Sequence, residues 1–277
     1  ETGLYRDIGK KTIAPDLLPF EPEFVLWSDA ADKRRWLRVP AGQRIDTTDP
    51  DHWQFPVGTM LFKEFSSAGK LLETRLIART GPGPNDYFMG AFIWNEDESD
   101  ALFVADGQQN VRATAHDVPT TKNCGTCHNG EPGRILGFSA VQRPGAPAAL
   151  LTAASSNAFT APGNDVTRAA LGYLHANCGN CHNPNGSAWP DTDMNLRLFI
   201  AESRPEDTRI FQSTVGVDLQ NNVMPELEKR IVAHAPDQSA VLYRMQQRGP
   251  DTQMPPLATE IVDTEGVSTV KAWIESL

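Results

Sequence analysis

The chain has 277 residues, with 25 Lys and Arg against 35 Asp and Glu, and a formal net charge of -10. That length supports a sizeable core in one large domain or two modest ones, and the acidic balance argues against nucleic acid and against an anionic membrane face as partners. The longest apolar stretches, such as APAALLTAA from residue 146, fall short of the roughly 20 residues of a membrane-spanning helix.

From Lys33 to about Asp106 the pattern is that of strands. KRRWLRVP, TMLFKEFSS, KLLETRLIART, YFMGAFIWNE and ALFVADG are short runs rich in aromatic and aliphatic residues, separated by turn material such as SAGK, GPGPND and NEDESD. Ser67 to Lys70 is expected to form a hairpin turn between Thr59–Ser66 and Leu71–Thr80. The expectation is an antiparallel, sandwich-like β-rich domain over residues 1–118. Residues 138 to 165 are crowded with Ala, Pro, Gly and Ser, which suits a long connection. Residues 119–165 are therefore read as a linking segment that includes KNCGTCHNG.

Helices are expected over 166–277. DVTRAALGYLHANCGNCH places Leu171 and Leu174 one turn before Cys178, so an amphipathic helix runs up to that cysteine. DQSAVLYRMQQRG offers Asp237 and Ser239 as caps and Gly249 as a stop. In VSTVKAWIESL, Val267, Val270, Ile274 and Leu277 form one buried stripe. The fold class is α+β, the second domain being an all-α unit.

All four cysteines fall in two copies of Cys-x-x-Cys-His. Three chemistries use such spacing: a structural zinc site, redox-active dithiols, and covalent haem. Zinc would pair two Cys-x-x-Cys units around one metal but gives no reason for a His after each. A redox dithiol expects a thioredoxin-like βαβ setting, which neither copy has. Haem explains every fixed position. Cysteines at i and i+3 on a helical turn sit about 5–6 Å apart and suit one edge of a porphyrin, and the following His supplies the iron ligand. On this reading Cys124 and Cys127 bind a first haem with His128 on its iron, and Cys178, Cys181 and His182 bind a second.

The distal ligands are less plainly marked. Met254, in DTQMPPLATE, is the candidate for the second iron, with Met224 in reserve; the following prolines stiffen the loop, and a Met opposite a His raises the reduction potential. For the first iron His175 is the candidate and His116 its rival, with Met60, Met89, His52 or an open position also standing.

YLHANCGNCHNPNG, with the segment from Ile231 to Leu277, resembles the class I cytochrome c domain of a family of bacterial dihaem c-type cytochromes, some of which accompany or are fused to PQQ-type sugar dehydrogenases. LLPFEPEFVLWSDAADKRRWLRVPAG, WQFPVGTMLFKEF, ETRLIAR, WNEDESDA and NCGTCHNGEPGRILGFSAVQ are similar to the family's other motifs, so the resemblance covers nearly the whole chain. It implies two covalently bound haems c, His128 and His182 as proximal ligands, Met254 as a distal one, and a redox role. The expectation is single-electron transfer between a dehydrogenase donor and a cytochrome or oxidase acceptor. Two alternatives stand beside it: a peroxidase-like haem enzyme with an open first iron, and a structural subunit of a larger redox complex. Covalent haem attachment in bacteria takes place outside the cytoplasm, so the expected location is periplasmic or extracellular. A chain beginning at Glu1 without a leader fits a signal already removed.

Overall fold

Strand formation in the first half follows from the alternation of large apolar and polar residues. In the computed structural model, which describes all residues except 1, 154–158, 222, 223, 225, 250, 251 and 258, that stretch forms a six-stranded antiparallel sheet. The strands lie in chain order: β3 (Leu18–Pro19), β4 (Asp32–Arg38), β5 (Met60–Ser67), β6 (Lys70–Arg79), β7 (Tyr87–Trp94) and β8 (Ala101–Val104). A two-stranded ribbon, β1 (Tyr5–Asp7) with β2 (Thr12–Ile13), precedes them. The β5–β6 hairpin turns through Ala68 and Gly69, at φ 47° and 76°. Two consecutive left-handed residues make the tight turn whose twist suits a hairpin, and the glycine adopts it without steric cost.

Both faces of the sheet are covered. One packs Trp36, Phe62 and Leu76 against Leu4 and Leu17. The other packs Leu37 and Leu61 against Trp53, Phe55, Ile135, Phe138 and Leu151, the last three drawn from beyond the first Cys-x-x-Cys-His. In place of a sandwich there is one meander sheet, flanked by a ribbon and by irregular chain.

The chain divides into two units. The first comprises 1–23, 30–125 and 132–158; the second comprises 24–29, 126–131 and 159–277. The first Cys-x-x-Cys-His is shared, with Cys124 in the first unit and Cys127 and His128 in the second. Of the connection expected over 119–165, residues 154–158 lie outside the described residues.

The second unit corrects the expected architecture. Helices α2 (Asp165–Asn177), α3 (Arg209–Thr214), α4 (Ala240–Gln246) and α5 (Thr264–Ser276) are joined by long irregular runs. Isolated bridges tie Val215 to Ile231, Asp218 to Lys229 and Lys229 to Ser239. An all-α class I cytochrome c-like domain is not what folds here: the stretch between α2 and α4 is rich in Asn, Pro, Asp and Gly, and outside the short α3 its described residues settle mainly as turns and single bridges. The molecule is α+β with a β-rich first part. Among the described residues no helix is long and apolar enough to cross a membrane.

Helix α2 starts where its sequence allows, Asn164 accepting a hydrogen bond from the Thr167 amide at 2.9 Å. Its Leu171 and Leu174 are fully buried. Helix α5, capped by Asp263 at 2.9 Å from the Gly266 amide, packs on α2 and buries Val270, Trp273 and Ile274. Gly266 permits that approach, since a Cβ there would lie 2.2 Å from the Tyr173 ring. Leu174→Ala, which empties a fully buried site on α2, is expected to lower stability by about 2–5 kcal/mol, read as a shifted urea midpoint at unchanged slope.

Candidate metal centre

Helix α1 (Thr121–His128) carries the whole first motif. Its Thr121 amide donates to the Ala105 carbonyl at 2.8 Å, which ties the helix start to the end of the sheet. Cys124 and Cys127 are one turn apart, and burial, the largest influence, raises the Cys124 thiol above its usual range. Arg75 opposes that shift and Glu73 adds to it.

The second motif begins at the cap of α2. Cys178 ends the helix, its amide donating to Leu174, and its carbonyl then accepts from Cys181 at 3.1 Å and His182 at 2.9 Å. The chain thus makes one more helical turn, which keeps both thiols and the imidazole together. Asn183 holds this turn closed, its side-chain amide donating to the Gly179 carbonyl at 2.7 Å.

Beside that turn lies a cavity of about 530 Å³, within the roughly 300–1,000 Å³ of small-molecule and cofactor sites. Cys178, Cys181 and His182 line it, as do Met254, Pro255 and Pro256. The candidate thioether attachments, the candidate imidazole ligand and the candidate distal Met therefore face one space. Met224 lines it too, together with Met194 and Met245, which sequence reasoning passed over. Arg230 and Arg244 are further lining residues that no local pattern announced.

The His182 side chain is buried and its Nδ1 has no hydrogen-bond partner among the described residues. Burial, helped by the Arg244 and Arg230 charges, brings its pKa down to about 4, so the ring is a neutral imidazole able to bind a metal at ordinary pH. Burial pushes Cys178 up to about 12, with a contribution from Cys181. Cys181 goes the other way, to about 7, the largest influence being a hydrogen bond with Cys127, and its thiol also donates to the Thr126 carbonyl at 3.8 Å. That bond joins the two motifs. They also meet at Gly130, where a Cβ would lie 1.9 Å from the Asn180 carbonyl oxygen. Arg197, buried, locks the same junction by donating to Glu131 at 2.6 Å and to the Gly179 carbonyl at 3.1 Å.

Three of the candidate distal ligands of the first iron make other contacts. His175 accepts a hydrogen bond at Nδ1 from the Leu198 amide at 3.1 Å, and burial with the Arg197 charge lowers its pKa to about 3. Its one lone pair is thus directed at a backbone amide, and that bond must break before the ring takes up an iron. His116 places Nε2 2.8 Å from Glu73 Oε1, with its ring 5.0 Å from that of Phe65. Met60 takes a contact from Arg38 at 3.6 Å on its sulfur.

Among the described residues no three His, Cys, Asp or Glu side chains gather closely enough to hold a metal ion by themselves. Haem places a smaller demand on the chain, because the porphyrin contributes four nitrogens and leaves two positions to the protein. One wall with two thiols and an imidazole, a methionine on the same cavity and two lining arginines fit such a group. No protein-family model matches the chain, and no curated protein or solved structure matches it either.

Proposed function

We propose that the protein is a dihaem c-type cytochrome that transfers single electrons between redox proteins. The observation that carries this reading is the cavity of about 530 Å³ on which Cys178, Cys181, His182 and Met254 converge. When bound, each haem iron supplies a one-electron couple. The chain's part is to attach, orient and insulate. Cys124 and Cys127, and Cys178 and Cys181, would form the thioether bonds, with His128 and His182 as proximal ligands. His182 suits that role as a buried, neutral imidazole. Met254 would present its thioether sulfur, which favours the reduced iron over the oxidised one. The lining is largely apolar, with Arg244 and the Asp193-paired Arg230 among its residues. Location outside the cytoplasm and a protein partner at each end of the transfer belong to the same proposal.

A second reading, an enzyme with an open first iron that reacts with a small oxidant, is favoured by one observation: the lone pair of His175 is taken up by the Leu198 amide. Haem content and a low-temperature EPR spectrum of the oxidised protein decide between the two. Two covalent haems, both low-spin, support the carrier. A high-spin signal from about half the iron supports the enzyme, and the absence of covalent haem removes both.

Met254→Ala is expected to lower the potential of one haem or to let carbon monoxide bind to it, with the other haem unaltered. An unchanged potential and spectrum would return the distal role to Met224, which lines the same cavity.

A further inference from the structure

In the sheet register, Arg35 on β4 stands opposite Lys63 on β5, and Lys63 stands opposite Arg75 on β6. Three cations thus lie side by side on one face of adjacent strands, with Lys33 two residues along β4 on the same face. Like charges directly opposed across strands destabilise a sheet, and the chain as a whole has more acidic residues than basic ones.

The counter-charges at hand do not balance the row. Glu73 is fully buried and shared between Arg75, whose Nε is 2.9 Å from Oε1, and His116 on the same oxygen. Glu21 lies 3.8 Å from Arg35 and is 73% exposed. Lys63 is half-buried over the Phe65 ring at 4.7 Å, and no carboxylate pairs with it among the described residues. Burial first, then Arg75, Arg35 and Lys33, push its pKa well below the usual range, and only Glu73 acts the other way. His116, eight residues before Cys124, seats the chain leading into α1 on Glu73 of this face at 2.8 Å, and the same Arg75 and Glu73 act on the Cys124 thiol.

We propose that the row Arg35, Lys63 and Arg75 is a carboxylate-binding site that holds the propionates of the haem attached at Cys124. The proposal rests on the haem reading of the first motif. It gives the β-rich unit a direct part in the redox chemistry, since positive charge beside a haem stabilises the reduced iron, which carries one positive charge fewer. The cavity beside Cys178 has Arg230 and Arg244 in its lining, so on this reading each haem would have its own set. A free phosphate or small carboxylate would satisfy the same chemistry, and the test separates the two.

The experiment compares the full-length, haem-loaded protein with its Lys63→Met variant. It quantifies covalent haem first and then follows both haem potentials by spectroelectrochemistry, with and without inorganic phosphate. The expected result is two haems in each protein, one potential moved lower by Lys63→Met and restored in Lys63→Arg, and no response to phosphate. Arg35→Met is a second probe of the same row and is expected to act in the same direction. Two haems with both potentials unmoved in Lys63→Met and Arg35→Met would overturn the proposal while leaving the haem reading intact. Wild-type potentials that move with added phosphate would assign the row to a free anion and overturn it as well. A protein with no covalent haem would overturn both this proposal and the reading beneath it.

Discussion

Replacing Cys178 and Cys181 together by Ala is expected to halve the covalently bound haem, from two per chain to one, and to abolish one of the two redox waves. Both thiols line the cavity next to His182. Without them no bond ties a porphyrin to that wall, and an imidazole alone holds haem only reversibly. Haem-specific staining after denaturing electrophoresis reads the covalent fraction directly, because haem held by ligation alone is lost there. The Cys124→Ala, Cys127→Ala pair is expected to produce the same halving, and the fourfold variant to lose the stain altogether. Undiminished staining in either double variant would refute the assignment of that motif. Zinc in place of iron in the purified protein would refute the reading as a whole.

The second large effect concerns the junction of the two motifs. Arg197 and Glu131 form a buried ion pair at 2.6 Å, and Arg197 also reaches the Gly179 carbonyl inside the second motif. Glu131→Ala leaves the guanidinium buried and unpaired, a change expected to lower stability by about 3–5 kcal/mol. Replacing both partners by apolar residues of similar size, Glu131→Leu with Arg197→Met, is expected to recover much of that loss, because two desolvated charges leave together. Chemical denaturation of the three proteins measures the difference. If Glu131→Ala unfolds at the wild-type midpoint, the pair does not hold the junction.

Much of the molecule could be read from residue order. The strands of the sheet alternate visibly, and the small pair Ala68-Gly69 announces the β5–β6 turn. Leu171 and Leu174 before Cys178, and Val270 and Ile274 near the end, mark α2 and α5. These are local signals, carried by neighbours within one or two turns. The all-α expectation failed because it transferred an architecture from the motif and the last helices to the chain between them. That stretch, from about Asn183 to Ser239, has the composition of turns and carries short helices and single bridges.

The cysteines and His182 of the cavity were legible because their spacing is itself chemistry. Arg230, Arg244, Met194 and Met245 were not, since each reaches the cavity through folding and sits in no pattern with the cysteines. The segment 24–29 shows the same limit. It belongs with the second unit through contacts such as the Trp27 amide on Asn177 Oδ1 at 2.7 Å, between positions far apart in sequence.

The hydrogen bond between Cys127 and Cys181 bears on how fast charge would move. On the proposed reading each sulfur is the edge of a separate haem. As thioethers the two sulfurs would lack the thiol proton of that bond, and the nearness of the two side chains would leave the haem edges close to each other. The two irons would then exchange electrons through this junction. The pair would behave as one reservoir that fills from whichever end meets its donor first, and the direction of flow would be set by the partners' potentials and not by the order of the haems in the chain.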